Sequence, residues 1–165
     1  MKKRIKKLKK IVVAMLVLSL FLTVSSTSAL ADGLEDLGKE VEGSILTNEE
    51  SAEAVWQNVA RGSLLDQGIA KITNVGNRTV NIYGATLAYK TCDKLIVKLT
   101  LQQYDGGWVN YATYGDTATN AASMSRSYNV KVKGGYYYRV KGACVAMKGS
   151  TSESQGPITN GIWID

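Results

Sequence analysis

From residue 67 onward, apolar and polar side chains alternate with a period of two in segments rich in Val, Ile, Thr and Tyr. This alternation, punctuated by Gly, Asn and Asp, predicts half-buried strands. Strands are expected near 68–75, 79–89, 94–104, 107–115, 123–132, 135–147 and 158–164. The turns between them are Gly76-Asn77, Lys90–Asp93, Asp105-Gly106-Gly107, Asp116–Asn120, Gly134-Gly135 and Lys148–Pro157. Asp105-Gly106 is the clearest hairpin signal, because positive φ is cheap there. Leu95, Val97, Leu99 and Leu101 alternate with Lys98, Thr100 and Gln102. Tyr136, Tyr138, Val140, Gly142 and Cys144 share one face of their segment, and Tyr137, Arg139 and Lys141 share the other. One apolar and one polar face per strand predicts antiparallel sheets packed face to face. The expected fold for residues 63–165 is therefore all-β, an immunoglobulin/fibronectin-type antiparallel β-sandwich of about seven strands.

The chain before residue 63 reads differently. A basic run (MKKRIKKLKK) leads into the apolar stretch Ile11–Val24 and then Ala29-Leu30-Ala31, the parts of a secretory signal peptide over residues 1–31 cut after Ala31. Fourteen residues fall short of the roughly 20 that cross a bilayer, so membrane contact is expected only during export. Neither a lipoprotein Cys at the cleavage site nor a C-terminal anchor is visible, and the expected destination is extracellular. Residues 32–62 form an acidic leader. Within it, Thr47-Asn48-Glu49-Glu50 reads as a capping box, and Ala52, Val55, Trp56 and Val59 follow at helical spacing. The leader is expected to be partly helical, either as a flexible segment or as a docking arm anchored by Trp56 with Val55 and Val59. Arg61-Gly62 is a candidate processing point.

Charge sharpens this division. The whole chain is +6, yet seven of its 20 basic residues lie in positions 1–10, and residues 32–165 hold 13 bases against 14 acids. Residues 32–60 carry a net −7 and residues 61–165 a net +6. An acidic segment ahead of a basic one suggests that the leader meets something basic, its own domain included. Nucleic acid is not an expected partner for an exported chain with this balance.

Candidate chemistry is sparse. The absence of His excludes Ser-His-Asp, Cys-His and His-ligated metal sites. Asp105 and Asp116 occupy turn positions where Asp is common for backbone reasons. No catalytic residue, cofactor or metal is expected, and the protein reads as a non-enzyme. Cys92 and Cys144 are the only cysteines, and in an exported chain the pair is expected to form a disulfide.

Tyr136-Tyr137-Tyr138-Arg139-Val140-Lys141-Gly142 resembles the F strand of fibronectin-type domains, in which a Tyr ring packs inward and its hydroxyl caps backbone. Taken in order, the signal peptide, Leu46-Thr47-Asn48, Arg61-Gly62, Thr91-Cys92-Asp93-Lys94, Gly107-Trp108, Tyr136–Gly142 and Thr159-Asn160-Gly161-Ile162 resemble an uncharacterised family. That family is a domain of unknown function found in small secreted β-rich proteins of anaerobic Gram-positive bacteria. The resemblance implies secretion and a β fold, and assigns no catalytic residue.

Two surfaces are candidates for function. All nine Tyr lie between positions 83 and 138, and around the 104–114 hairpin Trp108, Tyr104, Tyr111 and Tyr114 are candidates for stacking on sugar rings, with Gln102, Gln103 and Asn110 bonding hydroxyls. Alternatively these rings fill the core in place of Phe. Lys98, Lys131, Lys133, Arg139 and Lys141 fall in the outward register and form a candidate polyanion-binding face. The expected function is a secreted, non-catalytic module that binds an extracellular glycan or a cell-wall polyanion. The alternative is a protein-interaction or self-assembly subunit that docks through its acidic arm.

Overall fold

A computed structural model describes residues 34–57 and 64–165. The expected signal peptide, the cleavage point, Val59 and Arg61-Gly62 lie outside the described residues. After a short 3₁₀ turn at Leu34–Asp36, every regular element is a strand: β1 (Glu40–Val41), β2 (Ser44–Thr47), β3 (Ser51–Gln57), β4 (Leu65–Asn74), β5 (Thr79–Tyr104), β6 (Trp108–Lys131), β7 (Tyr136–Lys148), β8 (Thr151–Gln155) and β9 (Gly161–Ile164). They join one hydrogen-bonded sheet in the order β1-β2-β9-β7-β5-β4-β3, with β6 added along β5 and β8 along β7. All pairings are antiparallel except β2 with β9.

The fold turns on β5. Its first part lies between β4 and the end of β6, and its second part lies between β7 and the start of β6. Between them the register jumps: Leu87 pairs with Ser123 and Cys92 with Ala121, so four residues of β5 oppose one of β6. Extra residues on one strand bend a sheet sharply. The β5–β6 hairpin accordingly folds onto itself and carries the rest of the sheet with it. At Gly84, the place of a Cβ atom lies 2.5 Å from Leu99 Cδ2 and 3.1 Å from Val97 Cγ1, so the two parts of β5 press inner face to inner face. The core lies inside this curl, where Ile72, Ile82, Leu95, Leu99, Leu101 and Ile162 have no measurable exposure.

Several expectations are corrected. Instead of the two sheets of an immunoglobulin-like sandwich with seven strands, the described residues form one curled sheet of nine. Lys90–Asp93 and Asp116–Asn120 lie within continuous strands, and the expected Lys148–Pro157 turn contains β8. The leader is not partly helical in its described part. Ser51–Gln57 is a strand whose Ala52, Ala54 and Trp56 alternate inward against outward Ser51, Glu53, Val55 and Gln57. A three-turn helix is marginal alone, whereas β3 gains a seven-pair ladder with β4.

The disulfide expectation is also overturned. Both cysteines are free and buried. Cys144 pairs with Val97, five residues along β5 from Cys92, and at roughly 3.3 Å per residue that separation is far beyond the ~7 Å limit between bridged Cα atoms. The Cys92 thiol lies 3.3 Å from the Lys90 carbonyl and that of Cys144 3.2 Å from the Ala85 carbonyl. Burial pushes both thiol pKa values up.

Candidate functional site

The polar face of β7 was expected to be solvent, but at one end it is covered. Tyr104, Tyr137 and Trp163 on that outer face join Leu46 in a second apolar cluster, with Val41 and Trp108 packed against it. The cover is the β1–β2 hairpin. Its turn residues Glu42 and Gly43 both adopt positive φ, 48° and 74°, the conformation of a tight two-residue hairpin. Ser44 Oγ donates to the Thr159 carbonyl at 2.7 Å, and the Asn160 side chain accepts from the Ile45 N–H at 3.0 Å.

Arg139 is consequently not part of an exposed basic face: it is 3% exposed. Its Nε donates to Gln102 Oε1 at 2.8 Å, and Nη1 donates to Ser44 Oγ at 2.9 Å, the Glu42 carbonyl at 3.2 Å and the Val41 carbonyl at 3.4 Å. Nη2 reaches the Glu42 carboxylate at 3.4 Å. Burial lowers the Arg139 pKa, and the Glu42 charge opposes that shift. The guanidinium carbon sits 4.2 Å from the centroid of the Trp108 ring, a cation–π contact.

Trp108 is half-buried, and its ring is already engaged. Arg139 covers it, Tyr104 tilts against it at 5.4 Å, its edge packs on Gly161, and its Nε1 donates to the Val41 carbonyl at 3.1 Å. It is therefore not a free stacking platform. Its outer border instead forms one wall of a shallow depression of about 650 Å³, lined also by Thr100, Gln102, Val109, Asn110 and Lys141. Gln102 donates from Nε2 to Asn110 Oδ1 at 2.8 Å, which fixes both amides. Lys141 is opposite Thr100, and Lys98 is two residues along β5 on the same face, a diagonal separation of roughly 7–8 Å between backbones. Both lysines are exposed, with no carboxylate partner among the described residues.

The remaining candidates are dispersed. Tyr104 is buried, with its hydroxyl 3.4 Å from Lys39 Nζ. Tyr111 packs edge-on against Tyr138 and donates to the Lys131 carbonyl at 3.3 Å. Tyr114 stacks on Tyr128 at 4.7 Å. Lys131 donates to the Asn77 carbonyl at 2.8 Å, and the backbone of Lys133 bonds the Tyr138 hydroxyl, so this pair sits at the β6–β7 turn, apart from Lys98 and Lys141. Trp56 packs against the core and Val55 faces outward, 51% exposed, so the docking arm is an edge strand of its own sheet. Sequence reading missed Thr100, Val109, Glu42 and Ser44. For Glu42 a signal existed, since Glu42-Gly43 is a turn pair inside the acidic leader.

Among the described residues, no three His, Cys, Asp or Glu side chains converge as metal ligands. A family model described as a family of unknown function, DUF6147, matches residues 29–161. No curated protein matches the chain.

Proposed function

The chain belongs to DUF6147, a family of unknown function, and we propose that this member is a secreted, non-catalytic module that binds an extracellular anionic glycan or surface polymer. The observation that carries this reading is the pair Lys98 and Lys141, two exposed ammonium groups beside a depression lined by Trp108, Gln102, Asn110 and Thr100. Ammonium groups attract the charge of a polymer, while fixed amides and hydroxyls bond its hydroxyl groups. The reading of the chain as exported rests on the basic and apolar pattern of residues 1–31. The resemblance to proteins of anaerobic Gram-positive bacteria makes a wall polymer or mucosal glycan the natural ligand.

The test is binding of the purified chain to polygalacturonate, dextran sulfate and neutral dextran over a range of salt. Binding to a charged polymer that weakens with salt, and at least tenfold in Lys98→Gln/Lys141→Gln but not in Lys131→Gln/Lys133→Gln, is the expected result. Equal loss in both double variants would reduce the site to general charge attraction. No binding to any charged polymer would overturn the reading.

A further inference from the structure

The depression ends where the β1–β2 hairpin begins, and the groups under that hairpin are those of a recognition site. Arg139 presents its donors there, Trp108 presents an indole N–H and a ring, and Gln102 joins Arg139 to Asn110 in the depression. Every oxygen that satisfies the terminal nitrogens of Arg139 comes from the hairpin: the carbonyls of Val41 and Glu42, the Glu42 carboxylate and Ser44 Oγ. The Val41 carbonyl also accepts from Trp108. Hairpin oxygens thus occupy the positions that a carboxylate and its neighbouring hydroxyls would take on an arginine fork beside an aromatic ring.

Three features mark the hairpin as a stand-in. Glu42 holds φ at 48°, a conformation that Gly or Asn adopts more easily, and among the described residues its side chain supplies the only carboxylate that pairs with Arg139. That carboxylate is 67% exposed and 3.4 Å from the guanidinium, long for a charge-assisted bond. In the cluster that the hairpin covers, the Tyr137 hydroxyl is buried with no hydrogen-bond partner among the described residues, although buried polar groups are rarely left unpaired. The hairpin's ladder is short, with two register pairs between β1 and β2 and two between β2 and β9, so side-chain bonds from Arg139, Trp108, Ser44 and Asn160 carry much of its attachment.

We propose that Arg139, Trp108 and Gln102 form the recognition half of the binding site, suited to a carboxylate-bearing saccharide, and that the β1–β2 hairpin occupies it until such a ligand displaces it. The inference rests on the binding function proposed above and adds to it the ligand's charged group and the element that must move. Lys98 and Lys141 make the first, long-range attraction. The arginine fork then exchanges the Glu42 carboxylate for that of the ligand.

A reversible lock tests this. Ile45→Cys/Asn160→Cys places two thiols on adjacent segments, since Leu46 pairs with Gly161 one residue further along. The oxidised variant is expected to bind polygalacturonate at least tenfold more weakly than the same sample after reduction, with the wild type indifferent to reductant. Equal binding by the two forms would overturn the displacement and leave the Lys98–Lys141 site standing. No binding by the wild type would overturn both. Dextran sulfate bound as tightly as polygalacturonate would overturn the carboxylate preference. Should the double variant not fold, amide exchange in the wild type decides. Residues 40–47 are expected to exchange faster when saturated with polygalacturonate, and unchanged or slower exchange would overturn the proposal.

Discussion

Asp116 and Arg126 stand ten residues apart on the same strand, yet the Asp116 carboxylate accepts from Arg126 Nε at 2.5 Å. Ten residues of straight strand would span roughly 33 Å. The contact exists because β6 doubles over at its bend, bringing the residue opposite Val97 beside the residue opposite Gly84. Tyr114 and Tyr128, two residues further out on either side, stack in the same way. Together they close the open side of the curled sheet between its two parts.

The hydrogen bond from Arg126, followed by the Thr117 N–H, holds the Asp116 pKa below its ordinary value. A carboxylate with a depressed folded-state pKa contributes stability above its unfolded pKa, near 3.9, and loses that contribution as pH falls through the folded value. Asp116→Asn is therefore expected to lower Tm at neutral pH, and the gap from the wild type is expected to close below about pH 4. Thermal melts at pH 7, 5 and 3 check this; a gap independent of pH would mean that the ion pair is not its source.

At Gly84, a Cβ would meet Leu99 Cδ2 at 2.5 Å, Val97 Cγ1 at 3.1 Å and the Ile69 carbonyl at 3.2 Å. Leu99 and Val97 have no exposed surface into which to withdraw. Gly84→Ala is expected to cost about 1–3 kcal/mol through overpacking, measured by urea unfolding. Glycine at this site reflects the approach of the two layers, since its φ is not in the left-handed region.

Without reductant, denatured protein is expected to release two thiols to a colorimetric thiol reagent, and native protein to react far more slowly with both. Cys92 is 1% exposed and Cys144 is fully buried, and buried thiols are poor nucleophiles when burial raises their pKa. Finding no thiol after denaturation would mean that the cysteines are joined to each other or to another molecule.

How far the sequence carried this fold follows from which interactions are local. The alternation that put Tyr138, Val140, Gly142 and Cys144 on one face of β7 appears in the structure, and all four are buried. The hairpin at Asp105-Gly106 is also present. What the pattern did not reveal is that Tyr137 and Arg139, correctly placed on the opposite face, would be roofed by a hairpin nearly a hundred residues earlier in the chain. Period-two reasoning assigns a face, and only the long-range fold decides what lies against it. In the leader, Val55 and Trp56 fit a helical stripe as well as a strand, and the ladder offered by β4 decides between them.

The Tyr138 hydroxyl accepts from the Lys133 N–H at 3.1 Å and lies 2.9 Å from the Lys133 carbonyl and 3.2 Å from Gln103 Oε1. Burial pushes its pKa upward. The expected inward ring with a backbone-capping hydroxyl is present here. Tyr138→Phe removes hydrogen bonds whose partners, Lys133 and Gln103, are exposed and half-buried, and is expected to cost about 0.5–1.5 kcal/mol, with faster amide exchange confined to the β6–β7 turn.

Arg139 and Glu42 are expected to respond very differently to substitution, because one end of their ion pair is buried and the other is wet. Glu42 is 67% exposed, so Glu42→Gln forfeits a solvent-screened interaction and is expected to change stability by about 0–1 kcal/mol. Arg139 is 3% exposed and satisfies oxygens on Val41, Glu42, Ser44 and Gln102. Arg139→Ala strands those acceptors and removes the cover from Trp108, and is expected to cost about 1–3 kcal/mol or more through the buried acceptors left unpaired. Arg139→Met keeps an apolar stem against the indole ring and is expected to recover part of that loss. The exchange of amides in residues 40–47 separates a local from a global effect. If Arg139 ties the hairpin to the sheet, these amides lose protection in Arg139→Met while the β5–β7 ladder keeps it. Uniform loss across both regions would make Arg139 a general core residue instead of the anchor of the hairpin.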